Sequence, residues 1–168
     1  VLFLAAMGWI YHQLSVSFRE YADERNFNEI SLFARTYDEG FSQDELSAWT
    51  GSVRNMIPGA RSAYLAYSEE TFDFEPAAGS EAVIAMFQDS RELPEFISAL
   101  DSCYYLEPMK LEADYSVDYS LDPDDAASSS EASQIYFLPT ADESGAYVLG
   151  AIIITVPGVA ATGYESLM

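Results

Sequence analysis

The stretch AYVLGAIIITVP, residues 146–157, decides how this chain is read. From Val148 to Val156 it is apolar on both faces of an extended backbone, and from Ile152 on it is β-branched, so it predicts a central strand covered on both sides. Gly150 inside it leaves room for close approach by a neighbouring side chain or backbone. Such a strand needs pairing partners and a covering layer on each face.

Working outward, QIYFLPT (134–140) predicts the preceding strand, joined to it by the turn ADESG (141–145). SCYYLEPMKLEADYSVDYS (102–120) alternates in strand fashion, with Cys103, Tyr104 and Leu106 at its start and Leu111, Ala113, Tyr115, Val117 and Tyr119 later. Between these, DPDDAASSSEAS (122–133) reads as a mobile polar loop. Upstream, SEAVIAMFQDS (80–90) and PEFISAL (94–100) read as two short helices, with Pro94 suited to a first helical turn. RSAYLAYS (61–68) reads as a strand with Tyr64 and Ala66 on one face and Ala63, Leu65 and Tyr67 on the other, and TFDFEP (71–76) as a shorter extended piece. QDELSAWTGSVRNMI (43–57) is a helix whose Leu46, Trp49 and Val53 share a side; Ser42 is its N-cap, Glu45 completes a capping box, and Pro58-Gly59 ends it.

The first eleven residues, VLFLAAMGWIY, carry no charge. About 20 apolar residues are needed to cross a bilayer, and these cover roughly 16 Å, so residues 1–11 predict the outer end of a membrane-spanning or membrane-proximal helix; a signal-peptide remnant is the rival reading. Trp9 and Tyr11 are rings suited to a membrane interface, and His12 reads as an interfacial side chain. The absence of Pro and Gly from Leu14 to Tyr37 extends the helix to some 35 residues, ending at Gly40. Ile10, Leu14, Phe18, Tyr21, Arg25, Asn28 and Leu32 follow a coiled-coil spacing, a seam for a possible homodimer that Arg25 and Asn28 weaken. A second stripe, Phe27, Ile30, Phe33, Ala34 and Tyr37, faces its own domain. The chain thus divides into residues 1–11, one domain over 12–157, and a linker, 158–168, towards a second membrane helix.

The 168 residues are 49% hydrophobic and 14% aromatic, ample for one core, and 28 acidic against 7 basic residues give a net charge of −21. That charge repels phosphate backbones, which argues against nucleic-acid binding. One Cys, predicted to be a buried small hydrophobe, and one His offer neither a disulfide nor a thiolate or imidazole metal cluster, and no cofactor is expected. No GxSxG elbow, P-loop or HExxH occurs, so no enzyme is expected; a secreted enzyme using carboxylates is the weakest of three readings.

The apolar start running into a long helix (1–37), the segment DELSAWTGSVRNMIPGARSAYLAYS and the final ESGAYVLGAIIITVP together resemble the extracytoplasmic sensor domains of the single Cache type. These are PAS-like modules of bacterial receptors such as sensor histidine kinases, diguanylate cyclases and chemoreceptors. The resemblance implies an α+β fold in which about five antiparallel strands pack on the long N-terminal helix. It also implies a small-molecule ligand, a carboxylate, amino acid or amine, held between the sheet and the short helices on its other face. The Arg-Trp-Tyr and Asp arrangement of amino-acid-binding double Cache receptors is not found, which argues against amino acids. On this basis the chain is expected at a cell membrane, on its extracytoplasmic side, as a ligand-sensing receptor domain; the alternative is a membrane-anchored interaction domain with no small ligand.

Tyr64, Tyr67, Tyr104 and Tyr136 are the candidate ligand-binding rings, because tyrosine combines apolar area with an orienting hydroxyl. Arg61 and Arg91 are the cations that could grip a carboxylate bidentately. The competing readings are packing for the tyrosines and salt bridges for the arginines. Asp114, Asp118, Asp122, Asp124 and Asp125 lack EF-hand spacing and read as a solvated acidic run rather than a cation site.

Overall fold

The computed structural model describes the backbone of residues 2–122 and 131–157, and the side chains of these except 15–24, 26, 131, 133 and 157. The polar stretch 123–130, with Asp124 and Asp125, and the predicted linker 158–168 lie outside the described residues. The element order is α1 (Leu2–Ala34), α2 (Gln43–Gly51), a 3₁₀ turn (Ser52–Asn55), β1 (Arg61–Ser68), β2 (Asp73–Gly79), α3 (Glu81–Ser90), α4 (Pro94–Tyr104), β3 (Met109–Ser116), a second 3₁₀ turn (Tyr119–Leu121), β4 (Glu131–Ala141) and β5 (Val148–Pro157).

The five strands form one antiparallel sheet in the order β2-β1-β5-β4-β3. The fold is α+β and compatible with a PAS-like arrangement. β5 is the central strand, and Ala151 to Val156 are buried on both faces. Gly150 pairs with Ala66 on one side and Thr140 on the other, and a Cβ built there would lie 2.3 Å from the Leu65 carbonyl and 2.4 Å from the Tyr64 hydroxyl. The expected close approach is therefore the Tyr64 ring and the β1 backbone.

Each sheet face has its own core. On one face Tyr64, Tyr136, Leu138, Ile152, Ile154 and Val156 meet Ile30, Phe33 and Ala34 of α1 and Leu46 and Trp49 of α2. On the other Leu65, Ile135, Phe137 and Ile153 meet Val83, Met86 and Phe87 of α3 and Phe96 and Cys103 of α4. Period-two alternation along β1, β4 and β5 assigns neighbouring residues to opposite layers.

α1 is one continuous helix, and its two stripes part as the spacing predicts. Phe27, Ile30, Phe33 and Ala34 pack on the sheet, while Ile10, Leu14, Arg25, Asn28 and Leu32 of the seam are exposed; Phe18 and Tyr21 are among the undescribed side chains. Leu2, Phe3, Leu4, Trp9 and Tyr11 are exposed in the first turns. Among the described residues no helix is long and apolar enough to cross a membrane.

Several boundaries differ from the sequence reading: α2 ends at Gly51 and passes into a 3₁₀ turn, β2 runs Asp73–Gly79 rather than 71–76, and β4 begins at Glu131, inside the predicted loop; two further differences have an identifiable cause. α1 stops at Ala34, not Gly40, because Thr36 Oγ1 donates to the Phe33 carbonyl (2.6 Å) while accepting from Trp49 Nε1 (2.8 Å), which turns the chain back onto α2. Cys103 and Tyr104 lie in α4, not in a strand. Phe96, Ala99 and Cys103 fall at helical spacing and are fully buried, so three-dimensional packing overrides the short alternating run. The helix ends in a Schellman motif: Glu107 N–H donates to Ser102 O (2.8 Å) and Leu106 N–H to Cys103 O (2.9 Å), with Leu106 itself at φ 62°.

Candidate functional site

Ser80 accepts from Val83 N–H as the N-cap of α3, and α3 and α4 then lie across the second sheet face. Beyond their packed region, where β1 and β2 meet and the β4–β5 hairpin returns, the covering layer opens. Two recesses of about 530 Å³ and about 670 Å³ meet there, sharing Tyr67, Phe72, Tyr104 and Tyr105 as lining residues. Tyr67 comes from the end of β1, Phe72 from the β1–β2 turn, Tyr104 and Tyr105 from the end of α4, and Tyr147 from the foot of β5.

The rings form a connected set. Tyr67 lies 5.6 Å from Tyr104 and 5.1 Å from Phe74, and Tyr104 meets Tyr105 edge-on at 5.1 Å. Phe72, Tyr105 and Tyr147 are 79%, 70% and 72% exposed, an unusual concentration of wet aromatic surface. Phe72 (φ 54°) and Leu106, both at the cleft, are the non-glycine residues with positive φ among the described residues. Left-handed backbone at a bulky residue costs about 1 kcal/mol, and such strain gathers where a side chain must be held in a particular place.

Carboxylates dominate the charge. Glu69, Asp73, Glu92 and Asp101 line the recesses, against the single cation Arg91. Arg91 pairs with Asp73 Oδ2 through Nη2, and its guanidinium sits 5.2 Å over the Phe87 ring. Desolvation, then Tyr104, Glu69 and Asp73, push the Tyr67 hydroxyl above its usual range, the direction expected of a negative surround.

The six residues singled out from sequence divide three ways. Tyr67, Tyr104 and Arg91 meet at this cleft. Tyr64 and Tyr136 lie on the opposite sheet face. Tyr64 stacks on Tyr37 at 4.7 Å, abuts Trp49 edge-on, and shares a 3.2 Å hydrogen bond with Thr140; burial pushes its hydroxyl well above the ordinary phenol range. Tyr136 packs 6.1 Å from Phe27 and donates to Gln134 Oε1 at 3.1 Å.

Arg61 stands in a third place, beside a recess of about 350 Å³ between α2, β1 and the start of α3. It is buried, with Nε 3.6 Å from Asp122 Oδ2, Nη1 donating to the Ala60 carbonyl, and the guanidinium 5.6 Å over Tyr119. Burial first, then Arg54, lowers its pKa. Asp122 departs from the expected solvated acidic run: it is buried and accepts from Ser80 Oγ (2.7 Å) and Ala82 N–H (3.2 Å). Tyr119 completes the group through a 3.3 Å hydrogen bond with Thr155. This polar knot ties β1 and β5 to the start of α3.

Phe72 and Tyr147 have no counterpart in the sequence reading, and Tyr105 enters it only within the run CYY (103–105), which the Cache resemblance places at the pocket. Each sits in a turn or at an element end, where no periodicity marks it. The signal available was the density of aromatic and acidic residues in those connections. No protein-family model, curated protein or solved structure matches this chain.

Proposed function

We propose that this chain is the extracytoplasmic sensing domain of a membrane receptor of the Cache kind, and that the aromatic cleft takes a small organic ligand. The observation that carries the reading is the placement of two tyrosines on β1. Tyr67 lines the cleft, and Tyr64, three residues earlier on the opposite face, stacks on Tyr37 just beyond the end of α1. A ligand that prefers one packing of the cleft shifts β1, and Tyr64 carries that shift to the helix. The apolar first turns of α1 sit at the outer surface of a bilayer, and its exposed seam faces a second copy. Catalysis resides outside this chain.

A thermal-shift series against carboxylates, amines and nucleobases tests the reading, because a ligand selective for the folded state raises its melting temperature. A rise for one chemical class that disappears in Tyr67→Ala supports it. No rise for any class favours the second reading, a membrane-anchored interaction domain. That reading draws on the sheet face beneath α3 and α4, which is filled by fully buried Leu65, Phe87, Phe96, Ile135, Phe137 and Ile153.

A further inference from the structure

Resting on the reading of this cleft as a ligand site, we propose that its ligand is a small organic cation, an alkylated or aromatic ammonium, seated among Tyr67, Phe72, Tyr104, Tyr105 and Tyr147. Three features of the cleft select that chemistry over the others.

The first is the walls. Aromatic faces attract a cation within about 6 Å of the ring centroid, and they do so most strongly for ammonium groups whose alkyl coat makes dehydration easy. The cleft offers five rings from four separate segments, and the most exposed of them, Phe72, stands on a left-handed backbone at the β1–β2 turn.

The second is the charge balance. An anion entering here meets Glu69, Glu92 and Asp101 and must take Arg91 from Asp73. A cation meets the opposite situation, since the same carboxylates supply counter-charge without losing an existing partner. The net charge of −21 extends this preference to the approach, drawing cations towards the molecule and slowing anions.

The third is contrast with the rest of the molecule. The recess beside α2 is lined by both Arg54 and Arg61, yet Asp122 lines it too and lies 3.6 Å from Arg61 Nε, so the anion-binding charge there is already partly answered. The volumes of the aromatic recesses, about 530 and 670 Å³, fall within the range of small-molecule sites.

The test is titration calorimetry on the whole chain with choline, phenyltrimethylammonium and propylamine, set against 3,3-dimethylbutan-1-ol as the uncharged isostere of choline and succinate as an anion. The expected result is binding of at least one ammonium compound, no binding of the alcohol or succinate, and weakening by salt. Phe72→Leu and Tyr105→Leu, at exposed positions where folding is undisturbed, should each lower the affinity about tenfold, and Asp101→Asn about threefold. If succinate or the neutral alcohol binds at this cleft and the ammonium compounds do not, the cation assignment is overturned while the sensing function stands. Ammonium binding indifferent to all three substitutions places the site elsewhere and overturns the proposal. If nothing binds in this set or in the wider thermal-shift series, both the cation and the sensing reading fall.

Discussion

Gly150 shows how one position without a side chain organises both faces of a sheet. Its missing Cβ is the space that the Tyr64 hydroxyl and the Leu65 carbonyl occupy. Gly150→Ala is expected to destabilise the fold by about 3 kcal/mol, read from chemical denaturation, since one of the two obstructing groups is backbone and cannot rotate away. Phe72 is the converse case. Its ring is largely exposed while its backbone is left-handed, so Phe72→Gly should raise stability by about 0.5 kcal/mol and weaken ligand binding at once. Cys103 is sealed in the core, and burial pushes its thiol up to about 12 from 9.0. The folded state therefore keeps a proton that the unfolded state releases. This contribution to stability is complete below about pH 9 and is lost as pH rises through about 12. At pH 8 an alkylating reagent should leave native Cys103 unmodified and label it only when the chain is unfolded.

At the scale of elements, α1 carries the sharpest division between a packed and an unpacked face. Ile30 is fully buried against the sheet, whereas Leu32, two residues on, is 61% exposed. Ile30→Ala should cost about 3 kcal/mol in denaturant unfolding. Leu32→Ala should leave that midpoint within about 0.5 kcal/mol, while weakening any self-association measured by sedimentation. How much of this was legible follows from how each element declares itself. RSAYLAYS is readable to the residue because Pro58-Gly59 precedes a clean alternation that runs to Ser68, and the faces assigned to Tyr64 and Tyr67 are the ones observed. α4 was cut short because CYY alternates over too few residues to separate strand from helix, and only Phe96 and Ala99 packing beneath it decide the matter. The Asp122 knot was illegible, because its partners Arg61 and Ser80 lie 61 and 42 positions away. The cleft is half legible: Tyr67 and Tyr104, at the ends of β1 and α4, and the scarce cation Arg91 just past α3 can be nominated, whereas Phe72 and Tyr147, in turns with no periodicity, cannot.

For the whole molecule, charge is the property that acts at a distance. With a net charge of −21, the compact state works against its own repulsion, and raising salt from about 0.01 to 0.15 M shortens the Debye length from about 30 to 8 Å. The melting temperature measured by calorimetry is expected to rise over that interval, while affinity for an ammonium ligand falls; a parallel change of both would argue against a charge-driven site.

The place of β5 in the sheet bears on the order in which the protein is made. β1–β2 and β3–β4 are two separate strand pairs, and among the described residues the strand ladder joining them runs through Val148–Pro157. During synthesis both half-sheets wait, each with an open inner edge, until that last strand leaves the ribosome. Nascent chains halted before residue 148 should be protease-sensitive and bound by chaperones, and the addition of ten residues should close the sheet in a single step.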